Sequence, residues 1–545
     1  MSKKVRRKNP INKFILYSLF ILLSLELFAD DYVRKIIINK ENVSADSVFA
    51  AGVFNALHVN TKDYIIRQEI RFKEDEKLNY FNLYETERNL RATGLFTYVK
   101  VEVDTVGPNF VDIHINTKDK FSTQPAVLFG SEGGAQSLGF MLNETNLLGH
   151  NWQMDLEYLN LTENDIGNQG RFLINKTRLF NQNFDLFAEV SANRFKTNQE
   201  FKLSKPYRNF LDQHQWEVRA INKFGQDFIY DRKSEFGKQN NFQLLNTRHL
   251  EFNGYYHIAW AKVDRVFAGL NLNFNDIERG DPTLRRAFDN TGSILAHFSS
   301  VSQEFIKTTK LNDYKDEDLI IGGYGSAILG RTFKTDSTGD EVWYLGGRAE
   351  RSYLWDNFYM YLALEGGSGF VYSRAKYTYQ EFNGIFNYFI NNNSNLILRL
   401  KQQTAWTWDK SRQLILDPMS GLRGYSVNQF AGDNRFISNL EYRFFPGWQL
   451  WLFKLSGAVF WDNGTVWDQN SGYRNSRFYN SAGIGLRFHN DISIGDGSIL
   501  RVDFAWNFDE NRFGGIIFTS EQLFSAFENH RFRLPSIFGL EFNEQ

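Results

Sequence analysis

Cysteine is absent from this 545-residue chain. That excludes disulfides, cysteine zinc sites and thiol catalysis, and it suits a protein that would otherwise meet an oxidising compartment. Net charge is missing as well: 62 Lys and Arg stand against 63 Asp and Glu, so no footprint for nucleic acid is visible. No run of about 20 apolar residues occurs, which excludes a helical membrane protein. Catalytic signatures are missing too. The nine histidines make no His-x-x-x-His or His-Glu-x-x-His spacing, and there is no Gly-x-Ser-x-Gly elbow or Gly-x-x-x-x-Gly-Lys loop. The chain is read as non-enzymatic, with neither metal nor cofactor.

What is present is aromatic residue in alternation. Phe alone counts 52 and aromatics make 16% of the chain, yet mean hydropathy is −0.43. A transmembrane β-barrel hides its apolar half in period-two alternation, so a negative average is expected of it. The length predicts two or more domains, and the composition divides into three parts. Residues 1–29 read as an export signal: Met1–Lys13 is basic, Phe14–Leu25 is mostly apolar, and Leu27-Phe28-Ala29 offers a cleavage site. The stretch is short for a membrane span.

Residues 30–120 read as a small α+β module. Val33–Ile38 is a strand candidate, Thr61–Arg71 and Asn82–Ala92 are helix candidates, and Gly94 is placed as a helix stop. Two alternating strands follow, carrying Val99, Val101 and Val103, then Val111, Ile113 and Ile115. From 121 to 545 the chain changes to strands and polar turns. Trp152, Met154, Leu156 and Tyr158 alternate with Gln153, Asp155 and Glu157, and Leu500, Val502, Phe504 and Trp506 with Arg501, Asp503 and Asn507. Rows of bulky apolar residues facing away from charges, kept up over this length, predict a barrel greasy outside and polar inside. Asn-, Asp- and Gly-rich segments such as Phe274–Pro282 and Asp336–Glu341 read as loops or turns.

One stretch, Gly421–Trp467, concentrates the informative residues. Leu422-Arg423-Gly424-Tyr425 precedes two strand-like runs, Arg435–Phe444 and Lys454–Asp462. In the first, Glu441 shares the polar side with Arg435, Asn439 and Arg443; in the second, Asp462 shares it with Lys454 and Ser456. Ile437, Ser438 and Phe460 break the pattern. A loop arginine beside two inward carboxylates suggests a plug pinned to the wall.

Four motifs in order resemble the BamA/TamA family of the bacterial surface antigen superfamily. Leu422–Tyr425 resembles its Val-Arg-Gly-Phe/Tyr loop, with Leu for Val. Phe460-Trp461-Asp462-Asn463-Gly464-Thr465-Val466-Trp467 resembles its Phe-x-Asp-x-Gly-x-Val-Trp strand, in which Gly464 is a motif position. Ser481–Gly485 resembles the strand that follows, Leu142–Gly149 resembles an early barrel hairpin, and the N-terminal module looks like a POTRA domain. The resemblance implies an outer-membrane barrel of sixteen antiparallel strands after a single periplasmic POTRA domain. The 425 residues after Lys120 allow roughly 27 per strand against the ~10 needed to span a membrane. It also implies that Arg423 meets Glu441 and Asp462 inside the lumen. The working seam would lie between a first strand near Thr123–Gly134, weakened by Pro125 and several glycines, and a last strand at Ser536–Phe542.

The function so implied is assembly or insertion of outer-membrane proteins in a Gram-negative-type bacterium, with the module binding clients and the seam opening sideways. Alternatives are a translocation pore of the two-partner secretion type and a passive channel. The expected partners are the lipid bilayer, unfolded outer-membrane or secreted proteins, and periplasmic proteins met through the module; nucleic acid is not among them.

Overall fold

The structure is a computed structural model. It describes residues 31–41, 59–120 and 122–539, apart from short stretches at 180–182, 209–211, 231–240, 261–263, 285–287, 315, 338–339, 409–412, 451–452, 470–471, 491–498, 520–521 and 529–531. The export signal lies outside the described residues. The chain divides into two compact units, one built on residues 31–41 and 62–119 and one on residues 59–61 and from 120 onward.

In the first unit, β1 (Tyr32–Glu41), α1 (Asp63–Glu69), α2 (Tyr80–Ala92), β2 (Phe96–Gly107) and β3 (Phe110–Asp119) follow one another. The sheet order is β1-β3-β2, with β1 parallel to β3 and β2 antiparallel to it. Asn79 caps α2 by accepting from the Phe81 N–H at 3.0 Å, and Gly94 leaves the helix at φ +72°. Val33, Ile66, Leu90, Ile113 and Ile115 close the core between sheet and helices. A POTRA domain is not evident in this three-stranded sheet. Its element order belongs to many small α/β units, and that expectation is withdrawn.

The second unit is a closed antiparallel barrel of twenty strands, not sixteen. Six short strands open it: β4 (Thr123–Glu132), β5 (Ala135–Glu144), β6 (Trp152–Leu161), β7 (Gly167–Lys176), β8 (Asp185–Asn193) and β9 (Lys196–Lys205). Longer ones follow: β10 (His214–Tyr230), β11 (Phe242–Trp260), β12 (Asp264–Arg279), β13 (Thr291–Thr309), β14 (Asp316–Lys334), β15 (Trp343–Trp355), β16 (Phe358–Val371), β17 (Arg374–Asn391) and β18 (Ser394–Trp406). A loop then carries its own small hairpin, β19 (Leu414–Leu416) with β20 (Phe430–Gly432). The barrel resumes with β21 (Asn434–Leu450), β22 (Phe453–Trp467), β23 (Tyr479–Asn490), β24 (Ile499–Asn507) and β25 (Arg512–Thr519).

Dividing the length evenly hides the strand number, because the strands differ widely in length. The six opening strands fit into residues 123–205, about 14 residues each with their turns, while β11, β13 and β14 take 19 residues apiece. A span needs only ~10, so the long strands reach beyond any bilayer. Part of Phe274–Pro282, read as a loop, is the end of β12. The last strand is not found at Ser536–Phe542 either: residues 536–539 form no strand, and 540–542 lie outside the described residues. That strand is β25, and the segment after it has neither helix nor strand among its described residues.

Alternation decides which side chains face where. On β15, Trp343 and Leu345 are exposed while Tyr344, Arg348, Glu350 and Ser352 are buried. Val127, Leu138, Phe140, Phe298 and Ile484 continue the exposed apolar surface around the barrel. Such a band, with charges turned inward, is the surface a hydrocarbon solvent requires.

Candidate functional site

The loop between β18 and β21 turns into the barrel and shapes itself as it goes. The Asp417 carboxylate accepts from the N–H of Ser420 at 2.9 Å and of Asn428 at 3.0 Å, and its carbonyl accepts from the Leu422 N–H at 2.9 Å. Leu422 then packs into a cluster with Leu416, Tyr425, Phe430 and Ile437. Ile437, a break in the apparent alternation, is therefore an inward residue that receives the loop. Gly464 opposite it is equally needed: a Cβ there would come within 2.8 Å of the Leu416 side chain.

Arg423 is 0% exposed. Its Nε donates to Asp462 Oδ2 at 2.7 Å and its Nη2 to Asp462 Oδ1 at 2.9 Å, a two-pronged grip. Nη1 reaches Asp503 Oδ2 at 3.0 Å and Glu441 Oε2 at 3.4 Å. The guanidinium also lies over the Phe460 ring, 3.4 Å from its centroid. Phe460, another break in the alternation, is thus the platform of the site. Asn439 donates to Asp462 at 2.7 Å. Arg443 donates to Glu441 at 2.8 Å, and Arg487 to Asp503.

The structure therefore brings Arg423 together with both carboxylates named from the sequence and adds a third. Asp503 lies in the alternating strand β24, but nothing local links it to a loop 80 residues away. Although the barrel's interior is polar, this cluster is closed to solvent. Three carboxylates and their arginines are buried together, and each charge depends on its neighbours.

The next residues of the loop lie over the junction of the barrel's two ends. Gly424 takes φ +85°, with its carbonyl accepting from Asn507 Nδ2 at 3.2 Å. Tyr425 donates its hydroxyl to the Asn480 carbonyl at 3.0 Å. Val427 N–H donates to the Gly133 carbonyl, in the β4–β5 turn, at 3.0 Å. Two residues carry no side chain where the loop passes: a Cβ on Gly133 would sit 2.5 Å from Val427 N, and one on Gly514 of β25 the same distance from the Gly424 carbonyl. Asn428 Nδ2 also bonds Glu163 Oε1 at 2.7 Å. Burial pushes the Glu163 carboxyl, in the turn between β6 and β7, above its ordinary value; the Asn428 bond works against that shift.

Beneath the loop, strand pairing is thin. Among the described residues the β25–β4 junction holds the single register pair Phe518↔Ser131, whereas β24 and β25 pair from Arg501↔Thr519 to Asn507↔Arg512. Pro125 lacks an N–H for the ladder, and Phe129 meets Phe518 with ring centroids 5.6 Å apart.

One buried constellation carries the connectivity of a hydrolase relay. Ser456 Oγ is 2.7 Å from His489 Nε2, and His489 Nδ1 is 2.8 Å from Asp313 Oδ1. Ser456 and His489 are both buried, and Tyr314 and Phe445 pack edge-on and tilted against the imidazole. The set ties the β13–β14 turn to β22 and β23.

No protein-family profile matches this chain, and no curated protein does. Among solved structures it is similar to BamA from Haemophilus ducreyi lacking POTRA domains 1–3, at 14% identity over 90% of this chain and 83% of that one, with a TM-score of 0.38. It is similar to CdiB from Escherichia coli at 10% identity, over 90% and 76% of the two chains, TM-score 0.41. The FrpB iron transporter from Neisseria meningitidis scores 0.39 at 10% identity, over 90% and 89%.

Proposed function

We propose that this protein is an outer-membrane assembly or insertion factor of the BamA/TamA type, working on unfolded outer-membrane proteins at the β4–β25 seam. The observation that carries the reading is the single register pair joining β25 to β4. A strand edge so weakly satisfied can exchange its partner for an incoming strand, since main-chain groups on an edge pair with whatever extended chain reaches them. The exposed apolar band supports residence in the outer membrane of a Gram-negative-type bacterium. The test is reconstitution. Liposomes carrying the protein should speed folding of an unfolded barrel client over empty liposomes; equal rates would overturn insertion as its activity.

A second reading, a translocation pore of the two-partner secretion type, is favoured by a separate feature. The lumen holds a cavity of about 920 Å³ lined by charged and polar groups, including Arg219, Glu251, Arg279 and Lys401. Vectorial passage of an unfolded protein into such liposomes, without acceleration of barrel folding, would select this reading. A passive channel draws no support from a lumen holding both the loop and the segment after β25.

A further inference from the structure

The segment after β25 runs back through the lumen. With neither helix nor strand among its described residues, the peptide groups there cannot satisfy one another and must find partners elsewhere. The barrel wall supplies them from side chains. Asn271 Nδ2 donates to the Pro535 carbonyl at 2.8 Å, the Tyr324 hydroxyl to the Arg533 carbonyl at 3.5 Å, and the Phe538 N–H donates to the Tyr344 hydroxyl at 2.9 Å. Farther along, Arg443 donates to the Phe524 carbonyl at 2.8 Å and Asn387 to the Ala526 carbonyl at 3.3 Å, while the Ala526 N–H donates to Asn312 Oδ1 at 2.7 Å.

Side chains of the segment enter apolar recesses of the wall. Phe532 lies among Tyr207, His257, Phe267 and His297, with ring centroids 4.9–5.8 Å away. Phe524 and Phe527 are buried with Tyr359, Ile385 and Ile397. Phe538 packs beside Tyr344, against Gly346, where a Cβ would come within 3.0 Å of its ring.

Main-chain bonds from wall side chains do not depend on the sequence of what they hold, and the aromatic recesses accept any ring at suitable spacing. We infer that the inner wall from β11 to β21 is a binding track for an unfolded polypeptide bearing spaced aromatic residues, and that residues 522–528 and 532–539 occupy it as an exchangeable placeholder. This deepens the polypeptide-handling reading by naming the ligand's chemistry, but it concerns the lumen and not the seam.

The test uses the full chain, whose lack of cysteine makes Ile537→Cys a single reporter. Ile537 is 4% exposed, so maleimide labelling should be slow. A synthetic peptide of sequence 522–539 should raise the labelling rate about tenfold or more by competing for the wall. A shuffled peptide keeping its aromatics in place should do nearly as well, and a Gly-Ser peptide of equal length should not. If the native peptide works and the shuffled one fails, the wall reads sequence and the main-chain claim is wrong. If no peptide changes the rate, the track is overturned. Trypsin cleavage at Arg533–Leu534 gives the same readout in the unaltered chain, so a misfolded reporter cannot shelter the idea. Peptide exchange that persists when β25 is locked to β4 separates this result from the fate of the seam reading.

Discussion

Gly424 of the inward loop lies against Gly514 of the last strand so closely that a Cβ on Gly514 would come 2.5 Å from the Gly424 carbonyl oxygen. Three residues on, Val427 N–H bonds the Gly133 carbonyl of the first hairpin. One short piece of loop therefore touches both ends of the barrel where their own strands barely pair. A loop held by the buried cluster at Arg423 acts as a clip across the junction.

Placing a methyl group on either glycine should lift the clip without unfolding the barrel. Gly514→Ala and Gly133→Ala are expected to raise protease cleavage within 421–432, while the slower migration of boiled protein in detergent gels is retained. At Gly133 backbone strain adds to the clash, because φ is +56° there. Unchanged cleavage in both variants would mean that the loop does not need this approach.

Arg423→Ala should cost about 3–5 kcal/mol, the range for removing one partner from a buried ionic set, and not the ~0–1 kcal/mol of a solvated pair. Arg423→Lys should recover only part of it, since one ammonium cannot grip both Asp462 oxygens and reach Asp503. The exchange Arg423→Glu with Glu441→Arg is expected not to rescue, because Asp462 and Asp503 would lose their guanidinium and face a third carboxylate in its place. Denaturant unfolding in detergent measures all three. A rescued double variant would show that Glu441, not Asp462, is the principal partner.

Acid should tighten the loop at Glu163. Its carboxyl is raised by burial, so the folded state favours the protonated form. The stability it contributes is fully present below the unfolded pKa and is lost as pH rises through the folded one. Cleavage within 421–432 is therefore expected to fall as pH drops toward the carboxylate range, and Glu163→Gln should flatten that dependence while keeping the Asn428 contact. A variant with the wild-type pH profile would place the titrating group elsewhere.

Alternation made the inner face of the barrel readable, because period two fixes a side chain's direction without knowledge of its partner. Glu441, Asp462 and Arg423 could be singled out that way, helped by motif. Ile437 and Phe460 looked like errors in the pattern; they are the apolar seats of the loop, inward positions where another part of the chain covers the wall. Asp503 and Gly514 act through a loop 80 or more residues earlier, and no local signal carries such a pairing. Ser536–Phe542 failed for a similar reason. A short run ending in an aromatic resembles a strand, but a strand is made by its neighbour, and the described part of this run, residues 536–539, meets side chains of the lumen wall instead. Strand number failed because turns of very different length average to a misleading value.

The seam itself gives the most direct measurement. Ser131→Cys with Phe518→Cys joins β4 to β25 at their one register pair in a chain without other cysteines. Leu398→Cys with Leu440→Cys provides a control on the long β18–β21 ladder. In liposomes, the oxidised seam pair should fail to accelerate folding of an unfolded barrel client, reductant should restore it, and the oxidised control should match the unaltered protein. A seam-locked barrel that works as fast as the unlocked one would contradict the account.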